Sequence, residues 1–356
     1  FHYVLCLSEA KGMDINMKVH ITNVSGLAGA AGNAQQRVTD IARRYLYVNV
    51  LGIFHYPVES DTPEMLRTRL DGILAAISHG DTVIFQLPTW NDIKFDEAFA
   101  ARLGNYRGVK KIFFVHDVPP LMFENTLGWL GRYIDLYNLA DVLIVPSREM
   151  EEYLRSNGLK VPKIVVQRMW DFPVEIDQTI VPCFRKRINF AANVTSNYRP
   201  FVREWNHDRV ELAVTANPGD YEWAKGRNIR FLGWHNDDNL LADALRKSGG
   251  FGLLWQDCPW WKEYMKLNAS YKRSACLAAG LPIIVSSSTA ETEMILRKNL
   301  GLVVDSLDEA VDRVASMEEG QYRKMVEDVG KFAQLIQGGY FTKKLLIDSV
   351  FRLLYD

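Results

Sequence analysis

From residue 17 onward, short β-branched runs alternate with stretches of helical period, and this constrains the fold more than any other feature. Strands are predicted at 19–24, 51–56, 81–87, 110–115, 141–146 and 163–169, with helices at 35–45, 62–78, 96–106, 127–139 and 147–156. The strands are nearly continuous in apolar residues, which suits a parallel sheet covered on both faces and joined by right-handed crossovers. A loop-rich stretch with Asp171, Pro173, Asp177 and Pro182 breaks the rhythm, and the alternation resumes at 186–193. Further strands are predicted at 210–215, 229–232, 252–255, 283–286 and 301–304. Their helices fall at 239–247, 267–279, 289–298, 307–316 and 321–337. A chain of 356 residues exceeds the roughly 250–300 that one core supports. The expectation is an α/β protein with two doubly wound, Rossmann-like domains, 17–170 and 171–338. After the Gly338-Gly339 break, an amphipathic helix within 339–356 is expected to return to the first domain.

Charge narrows the classes of partner. With 42 Lys and Arg against 43 Asp and Glu, the formal net charge is −1, so no broad field favours nucleic acid. Hydrophobic residues at 48% supply ample core and argue against disorder. The four cysteines are widely separated, with no C-x-x-C pair, so a reducing cytoplasm fits better than a disulfide scaffold. No apolar run approaches the roughly 20 residues of a bilayer crossing. Residues 1–16 begin with Phe1 and end before Met17, which stands directly ahead of the first strand. They read as an upstream or expression-derived segment without the basic flank of a signal peptide.

Two α/β domains also serve dehydrogenases, binding proteins, epimerases and glycosyltransferases, so function must come from sites. The first βα turn, Val24 to Gln35, carries Ser25, Gly26, Gly29 and Gly32. Its glycines are spaced by three rather than as G-x-G-x-x-G, and Tyr56 and Pro57 stand where a dinucleotide site needs an acid. The turn is either a flexible connection or a contact for a phosphate or acceptor. At the end of the fourth strand, F-V-H-D-V-P-P-L-M-F places His116 and Asp117 at the carboxyl edge of the sheet. They form either a general-base pair or a turn cap beside a satisfied imidazole. Neither H-x-x-x-H nor H-E-x-x-H occurs, so no zinc site is expected.

The densest pattern is G-F-G-L-L-W-Q-D (250–257), then S-Y-K-R-S-A-C-L-A-A-G-L-P-I-I-V (270–285) and S-S-S-T-A-E-T-E-M-I (286–295). Serines and Thr289 before a helix, with Glu291 and Glu293 in its first turn, are explained in part by capping. The same groups suit a nucleotide: helix-start amides and hydroxyls hold a diphosphate, Lys272 adds positive charge, and Glu293 accepts from ribose hydroxyls. Trp90, Trp170 and Trp255 are either sugar platforms or core aromatics.

Together with F-Q-L-P-T-W-N (85–91), V-V-Q-R-M-W-D-F-P (165–173) and G-Y-F-T-K-K-L-L-I-D-S-V-F (339–351), these motifs resemble the glucosyltransferase 3 family of bacterial serine-rich-repeat adhesin glycosylation. That family, also called nucleotide sugar synthetase-like, is of the B type, with two Rossmann-like domains facing a central cleft. The resemblance spans 17–356. It implies a cytoplasmic, metal-independent, homotetrameric enzyme with no bound cofactor. Such an enzyme transfers glucose from UDP-glucose to O-linked N-acetylglucosamine on Ser or Thr of an adhesin. It also implies donor-binding roles for Lys272, Arg199 and Glu293, and the expected donor site adds Asn193, Tyr271, Ser288 and Thr289 to them. Ser25, Gly26 and Trp90 are expected on the acceptor side, with His116 or Asp117 as the base if the reaction inverts at C1. The family is similar to galactofuranosyltransferases, so another hexosyl transfer stays open, as does a non-catalytic nucleotide-sugar-binding subunit.

Overall fold

Each predicted strand forms, and every pairing between neighbouring strands is parallel. The computed structural model describes residues 17–192, 194, 199–219 and 221–355. The expected upstream segment 1–16 and Asn193 lie outside the described residues.

The first sheet contains β1 (Val19–Ser25), β2 (Asn49–Phe54), β3 (Thr82–Leu87), β4 (Lys110–Val115), β5 (Val142–Val145) and β6 (Ile164–Val166), in the order β2-β1-β3-β4-β5-β6. All six residues of β3 are buried, as expected for a strand covered on both faces. The second sheet contains β7 (Arg187–Phe190), β8 (Glu211–Val214), β9 (Ile229–Phe231), β10 (Phe251–Leu254), β11 (Ile283–Ser286) and β12 (Gly301–Val304), ordered β12-β11-β10-β7-β8-β9. Ile188, Phe190, Leu212, Val214, Phe251 and Leu253 supply one face of its core, whereas Leu254, Ile283 and Val285 pack into the other. Alternate residues of one strand thus feed two cores.

Helix boundaries follow side-chain caps. Thr62 accepts from the Met65 amide (3.2 Å), Ser147 from Met150 (3.0 Å), Asp237 from Leu240 (3.0 Å) and Ser306 from Glu309 (3.1 Å). Some boundaries differ from expectation. The first helix is Gly29–Leu46 rather than 35–45, so Gly29 and Gly32 belong to the helix and not to an open turn. Gly32 is required there by space: a Cβ would sit 2.1 Å from the Leu27 carbonyl oxygen. Strand β2 begins before residue 51 because its register pairs Asn49 with His20 and Phe54 with Ser25. The predicted helix at 127–139 is instead a 3-10 turn, Glu124–Trp129, running into helix Leu130–Tyr137.

The chain divides into two units, residues 1–167 with 342–356, and Arg168–Phe341. The boundaries stand a few residues from the expected 170/171 and 338/339, because Met169, Trp170 and Phe172 are buried among residues of the second unit. The last helix, Tyr340–Tyr355, packs on the first unit, where the Lys343 ammonium lies 3.5 Å from the centre of the Tyr45 ring. Among the described residues, no helix is long and apolar enough to cross a membrane.

Candidate active site

In the first unit the strand order reverses between β1 and β3: the chain leaves β1 for β2 on one side and continues from β3 to β4 on the other. Crossovers diverge there, so a crevice opens at the carboxyl ends of these strands. Five predicted residues share that edge. Ser25 ends β1 and is exposed, and Gly26 follows with φ +83°. A Cβ on Gly26 would stand 3.2 Å from the Phe54 ring, so both its backbone angle and its surroundings favour glycine. Trp90 lies just after β3, while His116 and Asp117 follow β4. The His116 amide continues the ladder by donating to the Leu87 carbonyl at 2.7 Å.

Residues the sequence reading passed over hold this edge in shape. The Asn91 carboxamide oxygen accepts from the Tyr56 amide (2.9 Å) and meets the His55 ring (3.1 Å), while its NH₂ donates to the Phe54 carbonyl (3.0 Å). Gln35, fully buried, donates to the Pro88 carbonyl at 2.8 Å. Trp90 and Asp92 flank Asn91 with φ +63° and +97°, in a region non-glycine residues seldom occupy. Nothing local marks these roles, because Asn91 sits in a polar loop and Gln35 on a helix.

The two candidate bases differ in environment. Burial pushes the His116 imidazole down to about 3, and its ring centre lies 4.3 Å from that of Phe114. It is therefore neutral at physiological pH and a weak proton acceptor. Asp117 is partly exposed and better placed to meet a substrate.

In the second unit the order reverses between β7 and β10. The segment after β7 carries Arg199, and the turn after β10 carries Asp257, whose carboxylate accepts from the Phe201 amide (3.1 Å) and the Trp255 indole (2.9 Å). The Arg199 guanidinium lies 5.5 Å from the Phe190 ring centre and is pushed down by burial. Lys272 stands in the first turn of helix Tyr271–Ala278. Burial, and then the neighbouring Arg199 charge, lower its ammonium to about 8. The Arg199 charge thus disfavours that of Lys272, a cost that an anion beside them relieves.

The turn after β11 completes this edge. The Ser286 and Ser288 hydroxyls meet at 3.0 Å, and Ser287 donates to Asp305 at the end of β12. Thr289 is buried, and its hydroxyl has no hydrogen-bond partner. Glu293 is exposed in the first turn of helix Thr292–Arg297, whereas Glu291 precedes that turn with φ +63°. The expected start at residue 289 is thus delayed by a left-handed residue. Arg273, beside Lys272 and almost wholly buried, donates to the Ala290 carbonyl at 3.1 Å and links the lysine's helix to the Thr289 turn. Tyr271 packs against Phe172 (ring centres 5.3 Å) and Trp170 (6.3 Å), and the Trp170 indole donates to the Ala269 carbonyl at 2.6 Å. Trp170 is therefore a core aromatic, while Trp255 remains partly exposed.

The glucosyltransferase 3-like N-terminal domain matches residues 18–169, and the glucosyltransferase 3-like C-terminal domain matches 188–349. Glucosyltransferase 3 of Streptococcus gordonii is 41% identical over 344 residues, covering 95% of this chain and 100% of the relative. Its counterpart from Streptococcus parasanguinis is 39% identical over 346 residues, covering 96% and 100%. In structure, the chain is similar to Anabaena Alr3699/HepE, solved in complex with UDP-glucose, with a TM-score of 0.62 and 12% identity over 93% of this chain and 99% of that one. The last likeness shows a shared fold of two Rossmann-like units. Identity of this extent, with both domain families matched in order, places the chain in the glucosyltransferase 3-like family of glycosyltransferases.

Proposed function

We propose that this glycosyltransferase, a hexosyltransferase by family, transfers glucose from UDP-glucose to O-linked N-acetylglucosamine on Ser or Thr of a serine-rich-repeat adhesin. The observation that carries the donor assignment is the pair of cations Lys272, in the first turn of its helix, and Arg199, after β7, each with its charge disfavoured by burial. In this reading UDP lies on the carboxyl edge of the second sheet. Lys272 and Arg199 face the diphosphate, Thr289 and Ser288 donate hydroxyls to it, Glu293 accepts from the ribose, and Tyr271 borders the sugar.

As the bond from C1 to the diphosphate oxygen breaks, negative charge grows on UDP. Fixed cations stabilise that state more than the ground state, which lowers the barrier. They supply the charge that a metal ion supplies in other transferases. Asp117 takes the proton from the acceptor hydroxyl as its oxygen bonds to C1, and neutral His116 supports the turn that carries Asp117. Ser25, Gly26 and Trp90 face the acceptor. The relatives' name and the neighbour crystallised with UDP-glucose support glucose as the donor sugar. The reading further includes action in the cytoplasm as a homotetramer.

The test is incubation of the purified chain, with and without a chelator, with UDP-glucose or other UDP-hexoses and a peptide bearing N-acetylglucosamine. A mass gain of one hexose from UDP-glucose, unaffected by chelation, is the expected result. Transfer only from another UDP-hexose, or no product despite donor binding, overturns it.

A further inference from the structure

We propose that the cavity at the carboxyl edge of the first sheet is a subsite for one uncharged pyranose of the acceptor, with the Trp90 indole N–H as its orienting donor and Asp96 as the residue that positions Trp90. This rests on the acceptor-side reading above and adds the contacting atom and its support.

The cavity measures about 540 Å³ and lies wholly within the first unit, among His55, Tyr56, Trp90, Asp92, Asp96 and Tyr133. Its volume falls within the usual range for small-ligand sites. Aromatic faces with flanking carboxyls match the alternating apolar faces and hydroxyl rims of a pyranose. Glu59, Asp92 and Asp96 line it, and among the described residues no lysine or arginine does, so the lining disfavours an anionic sugar.

Trp90 carries three independent marks. Its Nε1 is buried and has no hydrogen-bond partner among the described residues, so a donor is held ready where a lost partner is costly. Its φ of +63° is strained, and such strain persists only where surrounding contacts impose it. Those contacts come from both sides in sequence: Asn91 is clamped to the end of β2, and Thr89 is clamped to Asp96. The Thr89 hydroxyl donates to the Asp96 carboxylate at 2.5 Å and its amide does so at 3.3 Å. Asp96 is 1% exposed and rides on helix Ile93–Leu103, a rigid anchor for the loop. Burial pushes its carboxyl up to about 7 against the hydrogen bonds from Thr89, a cost the position sustains.

The experiment titrates the full chain, by ligand-observed NMR, with the methyl glycosides of N-acetylglucosamine, glucose and glucuronic acid. In parallel, transfer kinetics are measured for wild type and for Trp90→Phe, Asp96→Ala and Asp96→Asn. Phenylalanine keeps a six-membered aromatic face and loses the pyrrole ring that carries the N–H. A neutral glycoside should bind wild type while the glucuronide does not, and Trp90→Phe should weaken that binding about tenfold. In transfer, Trp90→Phe and Asp96→Ala should raise acceptor KM with donor KM unchanged, and Asp96→Asn should recover part of the loss through its remaining carbonyl acceptor. Failure of every neutral glycoside to bind, equal binding of the glucuronide, or an unaltered Trp90→Phe overturns the subsite. Neutral-glycoside binding that Trp90→Phe weakens, without any transfer, upholds the subsite and rejects the proposed reaction. Transfer with an unaltered acceptor KM in Trp90→Phe does the reverse.

Discussion

The Asp257 carboxylate accepts a 3.1 Å hydrogen bond from the Phe201 amide, tying the turn after β10 to the segment that carries Arg199. Both ends lie at the strand-order reversal of the second sheet, so this contact sets where the Arg199 guanidinium stands. Replacement of Asp257 by Ala is expected to weaken UDP binding by about tenfold, the scale of one lost charge-assisted bond, while the protein stays folded. Calorimetry with UDP reads the affinity and circular dichroism the fold. Unchanged affinity would detach Asp257 from donor binding.

Lys272 predicts a pH dependence of a definite sign. Its ammonium is held near 8 by burial and then by Arg199, so the charge proposed to attract the diphosphate is present below that value and lost above it. Donor KM should therefore climb as pH rises through about 8, whereas Lys272→Arg should flatten the profile because guanidinium stays charged. Lys272→Ala should reduce UDP affinity on the order of 100-fold. A wild-type donor KM flat across this range would refute the assignment.

Asp117 and His116 are separable. Asp117→Asn keeps shape and hydrogen-bonding capacity but removes the proton acceptor, so UDP affinity should persist while kcat falls by about 100-fold or more. His116→Gln should cost far less in kcat, since a buried imidazole lowered to about 3 does not act as base near neutrality. Comparable losses in the two variants would overturn this division of roles.

Stability is expected to depend on acid through Asp81. Its carboxylate meets the His20 ring at 2.9 Å, with both side chains 1% exposed, and also accepts from the Ser78 (2.8 Å) and Lys18 (3.0 Å) amides. Burial by itself raises this carboxyl, but those hydrogen bonds together hold it below the usual carboxylate range. The stabilisation is therefore complete above the unfolded value of about 4 and lost as pH falls through the lower folded one. Asp81→Ala should cost about 3 kcal/mol in urea denaturation at neutral pH, with a smaller difference from wild type in acid. An equal difference at both pH values would contradict the linkage.

Much of the fold was legible because parallel strands covered on both faces need nearly uninterrupted apolar residues. Strands β4, β11 and β12 were read to the residue for that reason. The start of the first helix was not, because Gly29 and Gly32 have low helix propensity and only close packing against the Leu27 carbonyl explains Gly32. At the candidate site, Lys272 and Thr289 stood in a recognisable local pattern. Asp96, Asp257 and Arg273 did not, since a carboxylate on an amphipathic helix or an arginine beside a lysine looks the same whether solvated or buried.

By itself, the amino-acid sequence determined the alternation of strands and helices, the existence of two doubly wound units and the resemblance that pointed to glycosyl transfer. Those properties depend on local periodicity and on motifs contiguous along the chain. Tertiary structure decided which polar groups are buried and which of them meet, Asp257 with Phe201 and Asn91 with the end of β2, and brought the Arg199 charge to bear on Lys272. Asp257 and Phe201 lie 56 residues apart, and they meet because strand order brings the ends of β7 and β10 side by side. Desolvation and charge coupling act through space, so they come into being only once the sheets have formed.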